Sequence, residues 1–168
     1  FMQTYKNPVL YADYSDPDVI RVGEDYYMVA SSFTYLPGVP LLHSKDLVHW
    51  ELINYCVKEL PYEKYAVPSH GSGTWAPAIR YHNGTFFVFI PLVDEGILVA
   101  RSSDPYGEFQ LNMLCERKGW IDSCPFWDED GKAYMIFAYA GSRAGIKHRL
   151  MLVEIDPDYV PAPQEYKD

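Results

Sequence analysis

Three stretches of this chain overlay so that Asp16, Trp75 and Asp122 take one position, each four residues before an aligned apolar residue, Ile20, Ile79 or Phe126. They read DPDVIRVGEDYYMV, WAPAIRYHNGTFFVF and DSCPFWDEDGKAYMIF. Two carboxylates and an indole gathered by repetition suit acid–base chemistry on a ligand with an apolar face. Pro17 restricts the residue before it, so Asp16 is expected to be extended, a rigid carboxylate able to act as a general base. Taken alone, Asp16 reads more readily as an Asx turn leading into a strand. Asp122 at the matching place of the third stretch shifts the reading toward a paired site. Asp13 and Asp18 lie at other offsets and read as turn or rim residues. Trp75 follows Gly71-Ser72-Gly73-Thr74, a flexible approach, and is either a flat platform for a sugar ring or a large core residue. Phe33, in Ser31-Ser32-Phe33-Thr34-Tyr35-Leu36-Pro37-Gly38, is either aromatic lining carried on a loop or hydrophobic packing.

The elements that must position these residues are β-hairpins. In each stretch a short apolar run meets a turn signal (Gly23-Glu24-Asp25, His82-Asn83-Gly84, Glu129-Asp130-Gly131) and then an aromatic, β-rich run. An even offset leaves each leading residue on the same strand face if the segment is extended. The stretches recur at intervals of 59 and 47 residues, and each is followed by further apolar runs (VPLLHSKDLVHWELI, GILVARSSDPYGEFQ, HRLMLVEIDPDY). About four strands per repeat of this length describe propeller blades, whose first strands line a central channel. Asp16, Trp75 and Asp122 should then ring one mouth of that channel. The fold expected is all-β, with residues 1–168 supplying about three blades of a propeller and the remaining blades absent from them. Uncovered blade edges should favour self-association.

Composition narrows the function classes. A net charge of −9 argues against a nucleic-acid partner, and no stretch is long and apolar enough for a membrane span. Three cysteines, Cys56, Cys115 and Cys124, show no CxxC spacing, which points to buried free thiols rather than a disulfide framework or zinc site. The five histidines lack HExxH or paired ligand spacing, and Ser31 and Ser32 lack the G-x-S-x-G elbow. No metal site is expected, and no charged leader followed by an apolar run opens the chain, which favours a cytoplasmic enzyme. The proline-rich run from Val160 reads as an extended connection or a cut end.

At this point the ordered motifs resemble glycoside hydrolase family 43. They are Asn7-Pro8-Val9-Leu10, Ser15-Asp16-Pro17-Asp18 running into Ile20-Arg21-Val22-Gly23, and Asp25-Tyr26-Tyr27. His43 through Trp50, Trp75-Ala76-Pro77, Ser103-Asp104-Pro105-Tyr106-Gly107 and Ile121-Asp122 continue the match over nearly the whole chain. The resemblance implies a five-bladed β-propeller that cleaves glycosidic bonds of plant cell-wall side chains and oligosaccharides with inversion. It implies Asp16 as general base, Asp122 as the residue that tunes and orients the proton donor, and Phe33 and Trp75 in the sugar pocket. The run from Ser31 to Gly38 is most similar to the β-xylosidase and α-L-arabinofuranosidase branch, which makes a pentose-containing oligosaccharide the expected partner. No cofactor is implied beyond a channel calcium ion, for which this chain supplies no recognisable ligand set.

Two departures stand out. Ala78 follows Trp-Ala-Pro where many members carry Asp, and the Glu-Gly-Pro motif that bears the general acid is missing from the 168 residues. An inverting glycosidase sets a base and an acid about 6.5–9.5 Å apart on opposite faces of the sugar. Asp16 can supply the first; Glu154, in Leu-Val-Glu-Ile-Asp, belongs by pattern to the outer hairpin of the third blade. The alternatives are a sugar-binding or assembly module built on a partial propeller, and a retaining fructan-cleaving enzyme, which the ordered motifs disfavour.

Overall fold

The computed structural model describes residues 3–156. Three antiparallel sheets follow one another along the chain, almost without helix. The first holds β1 (Asp18–Val22), β2 (Asp25–Val29), β3 (Gly38–Ser44) and β4 (Glu51–Val57), each hydrogen-bonded to the next. The second repeats that order with β5 (Ala78–His82), β6 (Thr85–Leu92), β7 (Gly96–Ser102) and β8 (Gln110–Cys115). The third, among the described residues, holds β9 (Trp120–Trp127), β10 (Ala133–Tyr139) and β11 (Leu150–Ile155), three strands rather than the expected four. A single helical turn, α1 (Gly141–Ala144), leads from β10 toward β11. Phe1-Met2 and the run from Val160 lie outside the described residues.

The expected hairpins form at the expected turns. Val22 pairs with Asp25 across Gly23-Glu24, with Gly23 at φ 63, and His82 pairs with Thr85 across Asn83 (φ 47) and Gly84 (φ 81). Positive φ at both residues of the second loop is what lets a two-residue turn match the strand twist. The third loop is longer, closing Trp127 on Ala133. These registers correct the overlay. Ile20 stands two residues before the pair that closes its hairpin, Ile79 three before and Phe126 one before. A one-residue slip changes the face a side chain occupies. Ile79 is fully buried, whereas Phe126 is 39% exposed.

The second sheet is covered on both faces, which explains the unbroken apolar run of β6. Phe86, Val88, Ile90 and Leu92 pack with Val29, Val39, Leu41 and Ile79 in the core shared with the first sheet. Phe87 and Phe89 pack with Trp120, Met135 and Phe137 in the core shared with the third. Alternate residues of one strand thus hold two neighbours, stacking the sheets face to face. The far face of the third sheet leaves Phe126, Ile136, Leu150 and Leu152 exposed. All three cysteines are unpaired, but only Cys56 is buried; Cys115 and Cys124 keep solvent contact.

The first strands of the sheets are neighbours, β5 lying between β1 and β9. They belong to separate sheets, so no backbone ladder joins them.

Candidate active site

Short backbone bonds close one end of these strands and gather the candidate residues there. Ser31 N–H donates to Ser15 O at 2.9 Å, and Ser32 and Thr74 exchange two bonds of 2.9 and 2.8 Å, which ties the first sheet to the second. Trp75 N–H donates to Pro91 O at 3.0 Å within the second sheet, and Gly119 N–H donates to Val93 O at 2.7 Å, which ties the second sheet to the third. Gly73 lies at the tightest point of this seam. A Cβ there would stand 1.8 Å from Ser32 O, so glycine serves close approach rather than the flexibility its context suggests.

Asp16 is not extended. Its φ is 51, in the left-handed region, just ahead of β1. Pro17 disfavours the right-handed helical region for its predecessor, and aspartate is among the few residues that tolerate the left-handed one. Ser31 Oγ, two residues past β2, donates to Asp16 Oδ2 at 2.7 Å and helps fix the carboxylate. Ser31 is buried and Asp16 exposed, so a covered hydroxyl orients a carboxylate that still faces solvent. Sequence reasoning weighed Ser31 only as a nucleophile and missed this role; its signal is a hydroxyl just past the strand that pairs with the one Asp16 precedes.

Asp122 is also left-handed, with φ 55, but for a different reason. In the β9–β10 register Cys124 faces Ile136 and Ile121 faces Ala138, so Asp122 and Ser123 together oppose Phe137. This two-against-one bulge turns the Asp122 side chain out of the regular alternation. Ser123 is fully buried, and its hydroxyl has no hydrogen-bond partner among the described residues. Asp122 keeps an exposed surface, yet desolvation of its carboxyl by the surrounding protein and, second, the charge of Asp16 raise it above the ordinary carboxylate value. The two aspartates therefore share one electrostatic environment. A carboxyl raised in the folded state binds its proton more tightly there than in the unfolded chain. Stability falls as pH climbs through the window between the unfolded and folded values. Asp122→Asn should therefore raise the thermal midpoint at neutral pH, and the gain should vanish below the carboxylate range; melting curves across pH test this.

Phe33 and Trp75 meet edge to face with ring centroids 5.5 Å apart, both half-buried rather than in either core. The indole N–H of Trp75 donates to Gly71 O at 3.2 Å, and the Arg143 guanidinium stands 5.9 Å from its ring. Arg143 is in turn held by Asp94, 3.3 Å away, which also pairs with Lys64 and Lys118. This charged rim was not legible in the sequence, because its members come from four separate segments.

Asp18 is a further correction. It is neither turn nor rim but part of β1, where Oδ2 accepts Ile79 N–H at 2.8 Å and Arg80 Nη1 at 2.7 Å. Glu154 lies in β11 opposite Tyr134, beside Lys132, while Asp122 opposes Phe137. Three residues of β10 separate those levels, about 10 Å along the strand at the usual rise, with Glu154 at the end of the sheet away from Asp122.

Comparison with known proteins gives the family of this chain. A family model described as glycosyl hydrolases family 43 matches residues 5–166. A candidate β-xylosidase of Xylanibacter ruminicola is 42% identical over 149 residues, covering 88% of this chain and 28% of its own length. A xylosidase/arabinosidase of Butyrivibrio fibrisolvens is 37% identical, covering 82% of this chain and 26% of its own length. The solved structure of a family 43 protein from Bacillus licheniformis aligns with a TM-score of 0.71 at 39% identity, over 80% of this chain and 29% of that one. The chain thus spans little more than a quarter of the length of the curated relatives it matches.

Proposed function

This chain belongs to glycosyl hydrolases family 43, and on that premise we propose that it forms three successive blades of a five-bladed propeller. The whole protein would hydrolyse xylosides and arabinofuranosides of plant cell-wall material with inversion. Asp16 accepts a proton from the attacking water. Asp122 tunes and orients the proton donor, and Phe33 and Trp75 pack against the pentose. The observation that carries this reading is the pair of left-handed aspartates, Asp16 at φ 51 and Asp122 at φ 55, with interacting charges at one end of the first strands. The names of the Xylanibacter and Butyrivibrio relatives support pentosides as the substrate class. Glu-Gly-Pro does not occur in the 168 residues, and Glu154 is at the far end of its sheet. In this reading the donor lies outside these residues.

The test is to incubate the protein that carries this chain with aryl β-xylosides and aryl α-L-arabinofuranosides, and to identify the first sugar anomer released by NMR. The inverted anomer is expected. Retention of configuration would remove the base role of Asp16, and binding of pentose without release would favour the sugar-binding module.

A further inference from the structure

The separation of Asp16 and Asp122 is set by how β1, β5 and β9 stand relative to one another, and these strands share no ladder. A polar chain of side chains crosses all three. Asp18 Oδ2 accepts Arg80 Nη1 at 2.7 Å and the backbone N–H of Ile79 at 2.8 Å, which joins β1 to β5. The other arm of the same guanidinium, Nη2, donates to Cys124 Sγ at 2.8 Å, which joins β5 to β9. Asp18 lies two residues after Asp16, and Cys124 two residues after Asp122. One planar fork therefore connects the positions next to both carboxylates.

Arginine suits this task because its donors are rigidly spaced, so engaging both neighbours fixes the distance between them. Lysine, a single ammonium on a flexible stem, can hold one neighbour only loosely. The apolar cores on either side of the second sheet resist pulling the sheets apart, and the bonds at Ser32–Thr74 and Gly119–Val93 tie their rims. Neither feature ties the inner faces of β1, β5 and β9 together in a directional way.

We propose that Arg80 is a positioning residue that sets the spacing of Asp16 and Asp122 by gripping Asp18 on one side and Cys124 on the other. The inference rests on the reading of those two aspartates as the base and the tuning residue. Misplacing a reacting group by about 1 Å can cost on the order of a hundredfold in rate. Loss of the fork should therefore lower kcat while leaving the sugar platform of Phe33 and Trp75, and so KM, little changed.

The experiment compares Arg80→Gln, Arg80→Lys and Cys124→Ala in the protein that carries this chain. Arg80→Gln should lower kcat by about tenfold or more with KM nearly constant, and should move the pH–rate profile. Arg80→Lys should recover part of the loss. A second readout needs no turnover: the Asp122 carboxyl is titrated by NMR in isotopically labelled protein, with and without Asp16→Asn. The downward shift in Asp122 that Asp16→Asn produces should change in size when Arg80 is replaced. A protein that cleaves no pentoside but shows this change would sink the functional reading and keep the positioning role. Unaltered coupling in Arg80→Gln, with a wild-type pH–rate profile wherever turnover is seen, overturns the positioning role, even if the melting temperature falls. Should Arg80→Gln not fold, Cys124→Ala cuts only the arm to β9, and unaltered coupling there overturns the proposal equally.

Discussion

Replacing Asp16 by asparagine in the protein that carries this chain is expected to lower kcat on aryl pentosides by about a hundredfold to ten-thousandfold, with little change in KM. The substitution is chosen for what it preserves. Asparagine tolerates the left-handed backbone that Asp16 adopts at φ 51, and its amide oxygen can accept the Ser31 hydroxyl in place of Oδ2. It cannot take up a proton at any working pH. Shape, backbone and hydrogen bonding therefore stay while the chemistry goes. Ser31→Ala makes the complementary change, keeping the carboxylate but freeing one of its oxygens, and should cost much less in kcat than Asp16→Asn. The charge of Asp16 is the second cause of the raised Asp122 carboxyl, so Asp16→Asn should also lower the pH at which Asp122 titrates. Full activity in Asp16→Asn would remove Asp16 as base. A normal kcat with a shifted Asp122 would leave it only an electrostatic neighbour.

Asp16, Asp122, Phe33 and Trp75 could be singled out as candidates from residue types and spacing, whereas the Ser31 contact, the charged rim at Asp94 and Arg143, and the backbone that carries them could not. Turn chemistry at Gly23-Glu24 and Asn83-Gly84 is local, so the hairpins and the order of the first two sheets could be read from residue types alone. The two-sided burial of β6 came only from the structure, since its run read simply as an aromatic, β-rich strand. The face each leading residue occupies was not legible, because the overlay assumed one straight strand per copy. The structure instead reaches a common end by different routes: a left-handed residue before Pro17, a close-packed seam before Trp75, and a bulge at Asp122 and Ser123. Bulges and left-handed residues leave little trace in a pattern of apolar and polar residues, since they depend on what the partner strand offers. Asp18 was misread for a related reason. A carboxylate next to a proline suggests a turn, and only the neighbouring sheet shows that it grips Arg80.

The seam before Trp75 gives the second large effect. Gly73→Ala places a Cβ 1.8 Å from Ser32 O and 2.6 Å from the carbonyl carbon of Phe33. Both atoms are backbone, so no side-chain rotation relieves the overlap. The chain must open the Ser32–Thr74 pair, losing two hydrogen bonds of 2.9 and 2.8 Å and the tie between the first and second sheets. Overpacking typically costs about 1–3 kcal/mol, and loss of each hydrogen bond a further 0.5–1.5 kcal/mol or so. A destabilisation of about 3 kcal/mol or more is expected. Phe33 follows Ser32, and Trp75 follows Thr74, so the same displacement separates the two rings and should weaken pentose binding beyond what the lost stability explains. Gly71 supplies the control two residues away. Its φ is 77 and nothing lies within 4 Å of a built Cβ, so Gly71→Ala meets only the backbone penalty, about 1–2 kcal/mol for a left-handed residue. Denaturant unfolding of both variants, with calorimetric titration of xylose or arabinose, measures the two effects separately. A Gly73→Ala protein no less stable than Gly71→Ala would mean that the seam yields without opening. Unchanged sugar affinity in Gly73→Ala, despite the loss of stability, would mean that the Phe33–Trp75 pair is packing and no part of the pentose site.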